Sequence, residues 1–290
     1  MTSSAGRCSS ASRRRPRRRP PRRGRRAGRS SSPRSSSARR SRRRGSTTPL
    51  AADPLGEFRD LLRRPDGEID LGRAALAIAR VEYPDLQGGP WLARLDDLAE
   101  RSGAGALGGR RALDRLRAFL FEEEGFRGNG EEYYDPRNSF LNDVLARRLG
   151  IPITLSLVTM EVGRRVGLAI EGVGLPAHFV VTVSVAGSDV VVDPFGGGRV
   201  ITRREAEAIV ARAVGRPVKL AEAHFARATR STIVARMLNN LKSIYAQRQE
   251  WRKALAVIDR LLVIEAGDTA LLGERSAALV RLHQQMASRN

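Results

Sequence analysis

From Asp53 onward the apolar positions of the chain recur with helical spacing. Asp53 followed by Pro54 reads as an N-cap with proline at the first helical position. Phe58, Leu61 and Leu62 mark the short helix that follows. Leu71, Ala74, Ala75, Ile78 and Val81 fall on one face of a second helix. Trp91, Leu92, Leu95 and Leu98 mark a third. Leu113, Leu116, Phe119 and Leu120 mark a fourth, which the pattern ends at Gly125. Core packing suffices to explain all these stripes.

The texture changes between residues 125 and 202. Gly125-Phe-Arg-Gly-Asn-Gly130 is rich in turn formers. A helix is predicted over 139–149, with a stop at Gly150-Ile-Pro152, and another from about 154 to 166. Three strand-like runs follow, at 170–175, 178–185 and 189–192. Ala186-Gly-Ser188 separates the last two as a hairpin turn, so antiparallel pairing is expected. After Gly198 the period returns to helix, at 202–214, 230–248, 251–264 and roughly 271–286. Leu241, Tyr245, Ala254, Ile258, Leu261 and Leu262 have the spacing of a single tetratricopeptide-type unit over 238–268, which cannot bury its apolar face alone. Helices followed by a run of strands predict an α+β fold rather than alternating βαβ units. The division expected is a disordered tail at 1–50, a main domain at 53–225 and a helical segment at 228–288.

Charge alters this picture in one place. The chain of 290 residues carries 52 Lys+Arg against 31 Asp+Glu, a net of +21. Residues 1–50 hold 18 arginines and no carboxylate, which leaves 34 basic and 31 acidic side chains in the remaining 240 residues. The headline charge therefore belongs to the tail. With no aromatic residue, that segment has little to bury and is expected to be disordered. It reads either as a non-specific phosphate-binding arm or as a solvated or over-extended tail. No apolar run is long enough to span a membrane or form a signal peptide, so no membrane contact and a cytoplasmic location are expected.

The one cysteine, Cys8, lies in the tail, which excludes an internal disulfide and a cysteine nucleophile in the body. His178, His224 and His283 are scattered, and neither a metal site nor a cofactor is expected. Gly196-Gly-Gly198 lacks the Lys-Ser/Thr of a phosphate loop and reads as a turn. Glu122-Glu-Glu124 reads as a solvated helix end. The most specific pair is His178, opening one strand, and Asp193, ending the next. Such a carboxylate can fix the tautomer of the imidazole for general-base work, or the pair can be a structural hydrogen bond.

Five runs carry a family resemblance: Gly125-Phe-Arg-Gly-Asn129, Tyr134-Asp-Pro-Arg-Asn-Ser-Phe-Leu-Asn142, Gly150-Ile-Pro-Ile-Thr-Leu-Ser156, Gly172-Val-Gly-Leu-Pro-Ala-His-Phe179 and Asp193-Pro-Phe-Gly-Gly-Gly198. Together with Arg236-Met-Leu-Asn-Asn-Leu-Lys242 they resemble the SirB1 family of bacterial proteins, over about residues 55–285. The resemblance implies a transglutaminase-like, papain-like core. In active enzymes of that kind, a cysteine at a helix start attacks a carbonyl while a His and an Asp activate it. Carried over, His178 and Asp193 take the last two positions, and Ser156 is the nearest candidate for the first. Serine is also favoured near helix starts for capping alone. Ala177 stands where the family usually has glycine, so an ordinary backbone angle is expected there. Asn138, Asn142, Asn239 and Asn240 read as caps or buried bridges, and Phe179 and Phe195 as cleft residues. The function implied is a non-catalytic interaction or regulatory module with a protein or peptide partner at its C-terminal helices. The alternative is a hydrolase or acyltransferase using Ser156, His178 and Asp193.

Overall fold

The computed structural model describes residues 53–288. The tail at 1–50, and Cys8 with it, lies outside the described residues. The chain forms α1 (Pro54–Leu62), α2 (Leu71–Ala79), α3 (Gly88–Ser102) and α4 (Gly109–Arg117), the last running into a π-helical turn over Ala118–Glu123. Next come β1 (Arg127–Gly128), α5 (Leu141–Arg147), β2 (Leu149–Gly150) and α6 (Pro152–Arg165). Four strands follow: β3 (Ile170–Leu175), β4 (His178–Val185), β5 (Ser188–Asp193) and β6 (Arg199–Val200). Four helices close the chain: α7 (Arg203–Val214), α8 (Arg230–Gln247), α9 (Trp251–Ile264) and α10 (Thr269–Ala287). The α+β class expected from the pattern is the one observed.

The sheet is antiparallel in the order β3-β4-β5-β6. Ala186 and Gly187 form the two-residue turn between β4 and β5, both with positive φ, the backbone that a tight hairpin demands. One face of the sheet carries Phe179, Val181, Val183 and Val192 into the main core. The other carries Val173, Leu175 and Val180 against Ala206 and Val210 of α7. With both faces covered, β4 reads as a nearly unbroken apolar run.

Two of the boundaries that differ from expectation bear on the site. α5 ends at Arg147 because Arg148 takes the left-handed region at φ 59°. Its successors, Leu149 and Gly150, pair in parallel with Arg127 and Gly128. α6 begins at Pro152, two residues before the predicted start. Proline breaks a helix interior but suits the first position, where no intrahelical N–H is required.

The C-terminal helices share the main core. Its buried residues run from Phe58 to Ala278 and include Leu238, Leu241 and Tyr245 of α8. The Tyr245 hydroxyl donates to Glu82 at 2.7 Å, and Lys253 reaches the same carboxylate at 2.8 Å. The Asp66 carboxylate accepts from the backbone N–H groups of Arg230 and Ser231, each at 2.9 Å. Distant sequence thereby caps the first turn of α8.

Candidate functional site

His178 and Asp193 lie at the end of the sheet. Val181 pairs with Val192, so continuing that register puts His178 diagonal to Asp193 on one face. His178 Nε2 lies 3.0 Å from Asp193 Oδ1, and both side chains are buried. An ionised carboxylate can only accept, so the Nε2–H of the imidazole donates to it and Nδ1 is the ring nitrogen left over. Nδ1 makes no hydrogen bond to the protein among the described residues.

The turn Pro176-Ala177 presents His178. Proline fixes the first backbone angle, and Ala177 has φ 52°, the second-position geometry of a type II turn. The ordinary angle expected for Ala177 is therefore corrected: alanine occupies the left-handed region that glycine takes more easily. Arg236 of α8 holds the turn from below. Its Nη2 donates to the carbonyls of Leu175 at 2.7 Å and His178 at 2.6 Å. Its guanidinium lies over the Phe179 ring, 5.4 Å from the centroid. Burial pushes the Arg236 pKa below its ordinary value, partly offset by Tyr133.

The loop Pro194–Gly198 fixes Asp193. A Cβ on Gly196 would come within 2.5 Å of Asp193 Oδ2, and one on Gly198 within 2.0 Å of the Phe121 ring. Both glycines are thus required by close approach, which supports the turn reading of this run. Phe195 meets the His178 ring edge-on at 6.0 Å and Tyr133 at 6.1 Å. It sits on Gly128, where a Cβ would come within 2.6 Å of its ring. Burial raises the pKa of the Tyr133 phenol.

Two cavities meet at this wall, both lined by Tyr133, Tyr134, Pro152, Ala177 and His178. One, of about 350 Å³, extends along α8. The other, of about 670 Å³, extends past Asp193 and Phe195 to α7. The N-terminus of a buried helix thus lines the same two cavities as an imidazole that a carboxylate orients. A model of the transglutaminase-like superfamily matches residues 90–239, which span α3 to α8 and contain both members of the pair. The chain belongs to the transglutaminase-like superfamily. A UPF0162 protein of Xylella fastidiosa is 36% identical over 78% of this chain and 82% of its own length. A UPF0162 protein of Vibrio cholerae is 28% identical, covering 74% and 78%. F-box only protein 21 of mouse is 29% identical over 46% of this chain but 22% of its own length. No solved structure matches the chain.

In this transglutaminase-like fold, Pro152 and Ile153 are the α6 residues that line a cavity together with His178. Ser156 stands one turn further on, about 5.4 Å along the axis. It is wholly buried, its hydroxyl has no hydrogen-bond partner, and it lines neither cavity. The structure joins His178 to Asp193 and does not bring Ser156 to them. Because α6 begins at Pro152, its first turn is filled by residues 152–155, and Ser156 lies beyond it.

The asparagines divide. Asn138 is a buried bridge: its Nδ2 donates to the Glu132 carbonyl at 2.7 Å and its Oδ1 accepts from Asn129 Nδ2 at 3.1 Å. Its carbonyl accepts from Thr154 Oγ1 at 2.6 Å, which ties the bridge to the first turn of α6. Asn142 is buried with its Oδ1 unpartnered. Asn239 and Asn240 lie mid-helix on α8 and neither caps nor bridges. The acidic run also needs correction. Glu122 and Glu123 are exposed, but Glu124 is buried between Arg101 and Arg148. Local sequence shows neither arginine, since both lie more than twenty residues away. None of the described helices is long and apolar enough to cross a membrane.

Proposed function

We propose that the chain is a non-catalytic, SirB1-type member of its superfamily, acting in the cytoplasm as an interaction or regulatory module. The observation that carries this reading is that Pro152 and Ile153, in the first turn of α6, line the cavity that His178 also lines. In active relatives the nucleophilic thiol stands at that helix start. Here both side chains are apolar, and the sequence holds no cysteine after Cys8. An oriented imidazole without a nucleophile can bind a ligand but cannot form an acyl-enzyme. The finer family name rests on the motif runs around residues 125–198 and 236–242.

The partner of such a module is a protein or peptide. Exposed Leu272, Val280 and Met286 on α10 support a contact at the C-terminal helices. The 18 arginines of residues 1–50 suit at most non-specific contact with phosphates. A fluorophosphonate probe tests the central point. We expect no labelling of Ser156 in the wild type. Labelling of Ser156 that disappears in His178→Ala would overturn the reading in favour of the serine triad.

A further inference from the structure

Helix α8 carries a polar stripe that core packing does not require. Arg236, Asn240, Ser243 and Gln247 recur at i, i+4, i+7 and i+11, the spacing of one helical face. All four line the cavity of about 350 Å³ that holds His178. The face turned the other way carries Val234, Leu238, Leu241 and Tyr245 into the core.

The chemistry of this wall is specific. No carboxylate of the described residues lies within ion-pair distance of Arg236, and none lines this cavity. Nη2 is spent on two backbone carbonyls, which leaves Nη1 and Nε as donors. The side chains of Asn240 and Gln247 make no hydrogen bond within the described residues. The acidic residues Glu131 and Glu132 line a different cavity, beyond Tyr133 and Tyr134. The floor here is apolar, formed by Ile151, Pro152, Ile153 and Ile244.

We propose that this lobe binds a peptide through a carboxylate held by Arg236, with its backbone amides held by Asn240 and Gln247. The inference rests on the non-catalytic binding function and names its ligand class. One partly spent guanidinium matches a single negative charge better than a phosphate, which draws on several cations or backbone N–H groups. Primary amides each offer a donor and an acceptor, the complement of a peptide group. The apolar floor accepts a neighbouring side chain. The carboxylate comes either from a peptide C-terminus or from an acidic side chain.

Fluorescence anisotropy on the full chain tests this with three octapeptide pools carrying an uncharged BODIPY label, randomised over neutral residues. The first has a free C-terminus, the second is amidated, and the third is amidated with one central glutamate. Near-neutral pools at physiological salt limit contact with the arginine-rich tail. We expect the first or third pool to bind and the second not to, and the better binder identifies the source of the carboxylate. The double variant Asn240→Ala, Gln247→Ala alters side chains without protein hydrogen bonds, so its fold should persist. It should bind about tenfold more weakly, as should Arg236→Gln. Equal binding of all three pools, or affinity unchanged in the double variant, would overturn the inference. Mass spectrometry of the same mixtures separates the two readings. Cleaved or transferred peptide would sink the non-catalytic function while leaving the binding site in place.

Discussion

The turn that presents His178 stores strain, and replacing Ala177 with glycine should release it. Ala177 holds φ at 52°. For a residue with a Cβ, that region costs about 1–2 kcal/mol. Glycine removes the cost but adds about 0.5–1 kcal/mol of unfolded-state entropy. The methyl is exposed, so little burial is lost. Ala177→Gly should therefore stabilise by about 0.5–1 kcal/mol, which raises Tm by roughly 1–4 °C in a body of this size. Thermal unfolding followed by circular dichroism, with urea titration as a check, measures this. Ala186 supplies an internal control, because it has φ 51° in the β4–β5 turn and is equally exposed. Ala186→Gly should give a similar gain. A gain at Ala186 with none at Ala177 would mean that the His178 turn is not left-handed.

Three further outcomes test the supports of the site. Thr154→Val keeps the side-chain shape but removes the hydroxyl that donates to the Asn138 carbonyl and accepts from Ile151 N–H; urea unfolding should show a loss of about 2 kcal/mol. Gly198→Ala meets both the Phe121 ring and a φ of 69°, so a loss of roughly 2–5 kcal/mol is expected from overpacking plus backbone strain, read in the same assay. Asp66 is partly desolvated, but hydrogen bonds from Ser231 and Arg230 outweigh that and hold its pKa below the usual carboxylate range. Because the folded pKa is depressed, its contribution is present above the unfolded value and is lost as pH falls through the folded one. Asp66→Asn turns one of its two accepting oxygens into a donor and should cost about 1 kcal/mol at neutral pH, and the difference from wild type should shrink on acidification; a gap that persisted at pH 2 would refute the assignment.

Periodicity carried most of the architecture. The stripes at 230–248 and 251–264 lie within a residue of α8 and α9, because each is long and amphipathic. The diagonal meeting of His178 and Asp193 followed from the hairpin between them. What the pattern hid was tertiary. β1 and β2 are two residues each, too short to show a period. Glu124 looked solvated because its two arginine partners are remote in sequence. The pattern reads Pro152 as a stop when it is a start, and that difference makes Ser156 the candidate nucleophile in the sequence. The stripe of Arg236, Asn240, Ser243 and Gln247 was visible as polar positions on an apolar helix, but only the fold shows the cavity it faces.

His178 is held by more constraints than its burial requires. Asp193 fixes one ring nitrogen, Arg236 pins the backbone carbonyl, and Phe195 packs against the ring. Nothing in the histidine itself is degraded, so the non-catalytic reading depends on the helix start opposite. A thiol supplied there should therefore behave as a reactive one. In a Cys8→Ser background, Pro152→Cys puts a thiol at the first turn of α6, beside an oriented imidazole. Both the helix N-terminus and an imidazolium stabilise a thiolate and bring its pKa below the free value of about 8.5. Alkylation by iodoacetamide should then run faster than for a free cysteine at pH 6–7, and adding His178→Ala should remove the advantage. Replacing proline at this position restores an N–H that needs no intrahelical partner, so the helix should persist. A rate indifferent to His178, with the pH profile of a free thiol, would show that the start of α6 is not the nucleophile position. The case for a lost nucleophile would fail with it.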